Sequence, residues 1–273
     1  MAKLIDFDKK YMAFAAKSLK DLANLKEDEL EGALNETVKK WLKADDAELG
    51  GRTPDEYFAA MTPNELVENL AAYGKSHLSV PEPLYRRIAK TKNCAGALAE
   101  VASNTAYDEE TRGTALRLLF DMEAKGIEML AADTLLLGGE ISNEAADWLK
   151  AAGYGVVEPL FERYEGADEA GREAILDVLC AYPGIEKTAA LLTERLLADH
   201  EKRALHATYA ARLGDEALLG PLEAIYGMSD LTYFDYMEVR NAMEALGGEP
   251  GEERQFYGDP DFERLREDPE QEG

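Results

Sequence analysis

The sequence is poor in the side chains that most often bind metals or carry out catalysis. Its 273 residues include only two cysteines, Cys94 and Cys180, and three histidines. The cysteines match neither a zinc-site spacing nor a Cys-x-x-Cys motif, and both lie in apolar helical patterns typical of small buried residues. His200 and His206 are six residues apart, which places them on different faces of a helix and prevents convergence on a metal. We therefore predict no metal and no cofactor.

Recognisable catalytic motifs are also missing. The chain contains no phosphate-binding loop, no nucleophile elbow and no Ser-His-Asp order. Carboxylates are too numerous to indicate a site, and pairs such as Glu169 and Glu173 on one helix face are typical of a solvated acidic surface. The sequence therefore predicts a protein that is not an enzyme and has no catalytic residue.

Basic residues are scarce relative to acidic ones. There are 30 Lys and Arg against 55 Asp and Glu, and the net charge is −25. Such a surface repels nucleic-acid phosphates and anionic membranes. It would attract a basic protein or peptide, although the same charge also serves solubility alone. We expect a protein or peptide partner of basic character, with no nucleic acid and no membrane.

Long hydrophobic runs and strand patterns are absent too. No stretch approaches the ~18 apolar residues of a membrane span. The charged segment from Met1 to Lys10 lacks the apolar run of a signal peptide, so the cytoplasm is the expected compartment. β-Branched runs with period two are missing, and apolar residues recur with helical period almost throughout. These features predict an all-α fold.

What the sequence does contain is an internal period. Leu160, Leu191 and Leu222 are spaced 31 residues apart, and Arg172 and Arg203 repeat the same interval. The segment 155–160 resembles the segment 217–222, two intervals later. A fixed period of this size predicts stacked helical hairpins, in which each hairpin buries its apolar stripe against the next. The stripe of the second helices is predicted to contain Ala174, Val178 and Tyr182 and, one period later, Leu205, Tyr209 and Leu213.

The hairpins divide the chain into three regions. We predict that residues 1–92 form an N-terminal helical region stacking on the array and that residues 93–248 form five hairpins. Residues 249–273 are predicted to form an acidic tail that is partly disordered, from about Arg266. Helices are predicted near 93–104, 108–123, 126–137, 141–152, 154–166, 169–182, 185–199, 200–213, 215–227 and 234–247. Thr53, Thr62 and Ser79 each precede a Glu by three residues, which predicts capping boxes. The tail aromatic residues are expected to fold back over the end of the array.

The segment 203–216 resembles the second helix of a HEAT-type repeat and the turn that follows it. It has an early Arg, small residues in the middle and Leu-Gly-Asp at its end, and Pro159 and Pro221 in the first helices are also similar to that family. The period resembles the short HEAT-like repeats of phycobilisome lyases. This resemblance implies an α-α superhelix, a HEAT-like or armadillo-type solenoid. It also implies that Arg172 and Arg203 pair with acidic residues of neighbouring hairpins.

A solenoid offers an extended concave surface lined by its second helices. We therefore expect a non-catalytic interaction scaffold with an acidic surface. The predicted partner-binding residues are Asp177, Thr208, Tyr209, Arg212, Tyr233 and Tyr236. The tyrosines have an alternative role, which is packing the closing end of the array with Phe256 and Tyr257.

Two other functions stay open at this point. The resemblance also permits an enzyme of the HEAT-like lyase type, a chromophore lyase. It extends to alkylpurine DNA glycosylases as well, but these need a cationic groove, which conflicts with the net charge of −25. An acidic mimic of nucleic acid ranks last, because the carboxylates are spread widely over the sequence.

Overall fold

The computed structural model of the chain describes residues 4–22 and 27–267, and in these residues the fold is all-α. The described residues contain no strand, only an isolated antiparallel bridge between Asp46 and Arg52. The helices predicted between residues 93 and 247 are all present, with ends displaced by a few residues. The predicted all-α fold class is confirmed.

The contacts within the chain define two compact units, Met1–Trp148 and Leu149–Gly273. This division differs from the boundary near residue 92 that the repeat pattern predicts. The domain limits 1–92, 93–248 and 249–273 therefore stay predictions. The disorder expected from about Arg266 falls mostly on residues 268–273, which lie outside the described residues; Arg266 itself belongs to a helix.

The first unit consists of helices that pack mainly on their neighbours in the chain. They are α1 (Phe7–Leu22), α2 (Glu27–Leu42), α3 (Pro54–Tyr57), α4 (Pro63–Gly74), α5 (Glu82–Ala89), α6 (Ala95–Ser103), α7 (Glu109–Asp121), α8 (Ile127–Leu135) and most of α9 (Gly139–Ala151).

Two of the three predicted capping boxes form. The Thr53 and Thr62 side chains accept hydrogen bonds from the backbone N–H groups of Glu56 and Glu65, whose carboxylates accept in return from the threonine N–H groups. The prediction for Ser79 is wrong. The helix begins two residues later than a Ser79 cap requires, with Pro81 in extended conformation at the cap position and no side-chain cap. Proline at this position fixes the chain just before the helix.

The second unit is a run of helical hairpins closed by the tail. Its helices are α10 (Val157–Tyr164), α11 (Glu169–Leu179), α12 (Glu186–Ala198), α13 (Arg203–Leu213), α14 (Leu219–Tyr226), α15 (Tyr233–Ala245) and α16 (Pro260–Glu267). Consecutive helices pack on each other from α10 to α13 and again from α14 to α16. In addition α12 packs on α14 and α13 on α15, so that first helices meet first helices and second helices meet second helices.

The 31-residue period predicts the core of this unit only approximately. Leu160 and Leu222 are fully buried, but Leu191 between them is only partly buried and Leu192 fills the core instead. The turn after α13 follows the sequence closely. Gly214 ends the helix with φ of 68°, in the left-handed region, and Asp215 caps the next short helical turn.

Candidate functional site

Three carboxylates line one face of α11. Glu169, Glu173 and Asp177 follow each other at intervals of four residues, which places them above one another on the helix surface. Each pairs with cations from other segments of the second unit. We refer to these three carboxylates and their partners Lys150, Arg195, Lys202, His206 and Arg212 as the ion-pair ladder.

The outer end of the ladder lies at Glu169. Arg195 Nη1 donates to Glu169 Oε1 over 2.6 Å, and Lys202 Nζ lies 3.6 Å from the same oxygen. The guanidinium of Arg195 also donates to the hydroxyl of Tyr164. The hydrogen bonds from Arg195 lower the pKa of Glu169 below its ordinary value of 4.5, so this carboxylate is charged at neutral pH.

The middle of the ladder contains a fully buried histidine. His206 Nε2 lies 3.2 Å from Glu173 Oε2, and Lys202 Nζ lies 3.1 Å from the same oxygen. Because a carboxylate only accepts hydrogen bonds, Nε2 of His206 is the donor in this contact. Burial raises the pKa of Glu173, but the hydrogen bonds from His206 and Lys202 outweigh it, and the pKa falls below 4.5.

Three of the predicted partner-binding residues meet at the other end of the ladder, at Asp177. Asp177 accepts from Lys150 Nζ and from Arg212 Nη2, each over 2.6 Å. The guanidinium of Arg212 lies 4.9 Å above the ring of Tyr209, which is buried. Asp177, Tyr209 and Arg212 therefore lie together, but they bind each other. Thr208 is exposed nearby and donates to Glu238 of α15.

The matched arginines do not form the pairs that the resemblance implies. Arg172 donates to the backbone carbonyls of Tyr164 and Glu165. Arg203 is buried and donates to Nδ1 of His200. Both lie in the first turn of a second helix, close to the end of the first helix of the same hairpin, where acceptors without helical partners are available. The prediction of pairing between hairpins is wrong for these two arginines.

The residues that do connect the helices were missed by the sequence analysis. Arg195 and Lys202 lie at the end of α12 and just before α13, and neither belongs to a repeated motif. A signal was nevertheless present in the four-residue spacing of Glu169, Glu173 and Asp177. That spacing marks one continuous acidic face of α11, which needs cations opposite it.

The remaining predicted residues, Tyr233 and Tyr236, belong to a second feature at the closing end of the unit. Tyr236 is 1% exposed and stacks on Tyr226, with ring centroids 4.9 Å apart. Phe256 of the tail packs on both Tyr233 and Tyr236. We refer to Tyr226, Tyr233, Tyr236, Arg254, Phe256 and Phe262 as the tail cluster.

Arg254 fastens the tail to this cluster. Its guanidinium lies within 5.5 Å of the ring centroids of Tyr226 and Tyr236, and donates to the backbone carbonyls of Tyr226 and Met228. The expectation that tail aromatics fold back is confirmed for Phe256 and Phe262. The structure gives Tyr236 the packing role that the sequence left as the alternative to partner binding.

A third feature is an open groove of about 540 Å³ between the first turns of α13, α15 and α16. Leu205 and Phe234, 39% and 56% exposed, line it together with acidic residues. Leu205 was predicted to be buried by the period, and that prediction is wrong. The connection from α14 to α15 has six residues, two more than that from α12 to α13, so the last hairpin departs from the period and α15 does not cover Leu205. We refer to this feature as the α13–α15–α16 groove.

The first unit contains a cavity of about 1090 Å³ in which Lys10 is paired with carboxylates of the lining. It is lined by α1 and by the segment after α2, and Lys10 Nζ pairs there with Asp46 and Glu48 at 2.8 and 2.7 Å. These contacts hold the end of α2 against α1. Lys9 and Asp45 line the cavity as well, so its lining mixes basic and acidic side chains.

The described residues offer little for metal or thiol chemistry. No group of three or more His, Cys, Asp or Glu among them could hold a metal ion. Cys94 and Cys180 are buried free thiols, and burial raises the pKa of Cys180 to about 12, which keeps it protonated.

No helix within the described residues combines the length and apolar character required to cross a membrane. The chain matches no protein-family model, no curated protein and no solved structure.

Proposed function

We propose that this chain is a non-catalytic protein-interaction scaffold built of short HEAT-like hairpins, acting in the cytoplasm, and that its acidic surface binds a basic protein or peptide. The packing of α12 on α14 and of α13 on α15 supports the first part, because repeat arrays stack equivalent helices in this way. The resemblance of residues 203–216 to a HEAT-type second helix supports it further.

The observation that carries the second part is the placement of the cations in the second unit. Lys150, Arg195, Lys202 and Arg212 each pair with a carboxylate of α11. Arg240 of α15 and Arg264 and Arg266 of α16 pair with nearby carboxylates as well. The surplus behind the net charge of −25 is therefore left to face solvent or a partner.

A surplus of this kind has a defined physical effect on association. Like charges spread over one protein raise the local concentration of an oppositely charged partner and accelerate its encounter. The effect is screened over about 8 Å at physiological ionic strength. Binding of a basic partner should therefore weaken as salt is added, in contrast to binding through apolar contacts.

The test uses a fluorescent peptide of about 20 residues that alternates Lys with apolar residues, and a control peptide with Glu in place of every Lys. We expect the Lys peptide to bind saturably at one site and to lose about tenfold in affinity between about 50 mM and about 300 mM salt. The Glu peptide should not bind. Binding that never saturates would mean that the charge serves solubility alone, and salt-independent binding would also overturn the proposal.

A further inference from the structure

We propose that the α13–α15–α16 groove is the docking site for one apolar side chain of the partner, flanked by lysine or arginine residues. This inference rests on the proposed function and adds the place and the chemistry of contact. It follows from an apolar floor and an acidic rim in the same open groove.

The floor consists of two large side chains on neighbouring helices. Leu205 of α13 and Phe234 of α15 are 39% and 56% exposed and line the same groove. A single exposed apolar residue is ordinary on a protein surface, but two that share a concave site are typical of a binding groove. Aromatic side chains are also the residues that most often dominate the binding energy of an interface.

The rim is acidic because four carboxylates border the groove, namely Glu201, Asp235, Asp259 and Asp261. Two of them are held in place by the helix starts. Asp235 accepts from the hydroxyl of Thr232, and Asp259 accepts from the backbone N–H groups of Tyr233, Asp261 and Phe262. The bond from Tyr233, followed by those from Phe262 and Asp261, lowers the pKa of Asp259, which keeps it charged.

The basic residues near the groove do not cancel this charge. Lys202 pairs with Glu173 in the ion-pair ladder, and Arg203 is buried against His200. Arg264 pairs with Asp261, but both side chains are largely exposed, so the pair is weak. An anionic ligand is disfavoured here even though three helices begin at the groove. Asp259 already accepts from backbone N–H groups of α15 and α16, and the hydroxyl of Thr232 accepts from the backbone N–H of Asp235.

The negative charge of the rim indicates which kind of segment the groove can bind. Residues 268–273 of this chain carry three carboxylates and neither Lys nor Arg, so the acidic rim would repel them. A volume of about 540 Å³ accommodates a short segment with one anchoring side chain. The rim carboxylates would then bind cations on either side of that anchor. A basic, partly apolar segment of another protein satisfies both conditions.

The experiment compares two Lys-rich peptides that differ at one position, which is Leu in the anchored peptide and Ser in the other. Their affinities are measured by calorimetry for the full chain and for Phe234→Ala, with Leu197→Ala as the matched control. Leu197 is 44% exposed on α12 and does not line the groove, so both substitutions remove an exposed apolar side chain.

We expect the native chain to bind the anchored peptide about tenfold more tightly than the Ser peptide. Phe234→Ala should abolish this preference and leave the affinity for the Ser peptide unchanged, while Leu197→Ala should change neither. Glu201→Lys should weaken both peptides, because it reverses a charge of the rim. Circular dichroism of every variant should match that of the native chain.

Each contrary outcome has its own meaning. If neither peptide binds, the proposed function fails and this inference with it. If both bind equally well, or if the preference survives Phe234→Ala, the acidic surface binds basic peptides elsewhere and only this inference is overturned. If light scattering shows a dimer that Phe234→Ala dissociates, the groove is occupied by a second copy of the chain, which also overturns it.

Discussion

The ion-pair ladder and the tail cluster stabilise the same unit by different means. The ladder joins α11 to cations that lie between 26 and 35 residues away in the sequence, about one repeat. The tail cluster joins α14 and α15 to a segment that belongs to no repeat. Where another hairpin follows, that hairpin covers the apolar stripe, and charged side chains at the surface are enough to join the helices. At the closing end no hairpin covers the stripe of α14 and α15, and the apolar side chains of the tail cover it instead.

This difference predicts a difference in energy. Individual surface ion pairs contribute roughly 0–1 kcal/mol, because the charges are well solvated when apart. A buried aromatic side chain contributes about 3–5 kcal/mol when it is compared with alanine. The closing end should therefore respond far more strongly to single substitutions than the ladder does.

The largest effect is expected for Tyr236→Ala. Tyr236 is 1% exposed and contacts Tyr226, Phe256 and the guanidinium of Arg254, so its loss leaves a cavity beneath the tail. We expect the free energy of unfolding of the second unit to fall by about 3–4 kcal/mol in urea titrations. Tyr257→Ala is the matched control, since Tyr257 is 72% exposed and should change stability by less than about 0.5 kcal/mol. Equal effects of the two substitutions would contradict the role of the cluster.

A smaller effect is expected for Arg254→Ala. The substitution removes the donor to the carbonyls of Tyr226 and Met228, and it removes the cation above two tyrosine rings. We expect the free energy of unfolding of the second unit to fall by about 2 kcal/mol. Hydrogen exchange of residues 254–267 should accelerate, while exchange in α11 stays as in the native chain. Arg264→Ala, which removes an exposed ion pair with Asp261 on α16, provides the control. Unchanged exchange in the tail would show that the aromatic rings alone hold it.

Much of the fold could be predicted because it follows from local rules. Helix periodicity, the caps at Thr53 and Thr62 and the glycine at position 214 act over a few residues, and the structure shows all of them. The 31-residue spacing also agrees with the number of α-helices between residues 93 and 247. The 31-residue spacing predicts Leu191 in the core, but Leu192 fills that position. Packing decides which of two adjacent residues a helix turns toward the core, and the sequence spacing cannot show that choice.

Less of the candidate site could be predicted, because its contacts depend on distances between helices. Leu205 was expected to be buried, and it is exposed because the next hairpin has a longer connection. The sequence left Tyr236 with two possible roles, partner binding and packing at the closing end. Only its contacts in the structure distinguish them. Arg172 and Arg203 show that matched positions in a repeat do not make matched contacts when the nearest acceptors differ.

Acid should weaken the ladder before it weakens the tail cluster. The pKa of Glu173 is lower in the folded chain than its ordinary value, so the ionised form adds stability above that value. This contribution is lost as the pH falls through the lowered folded pKa. Glu173→Gln keeps the shape of the side chain but removes its charge. We expect the free energy of unfolding of the second unit to fall by about 1 kcal/mol at pH 7. Below the folded pKa the difference from the native chain should shrink, and a difference that stays constant with pH would contradict the assignment.

The smallest effect is expected for the pair of Asp177 and Arg212. Both side chains are partly exposed. Arg212 also lies over the ring of Tyr209 and donates to the backbone carbonyl of Asp177, so the guanidinium keeps two contacts when the carboxylate is removed. A double-mutant cycle with Asp177→Ala and Arg212→Ala should give a coupling energy of about 0.2–1 kcal/mol. The coupling should decrease in about 1 M salt, since screening there acts within roughly 3 Å. A coupling as large as the loss from Tyr236→Ala would mean that charge stabilises the regular hairpins as strongly as aromatic packing stabilises the closing end.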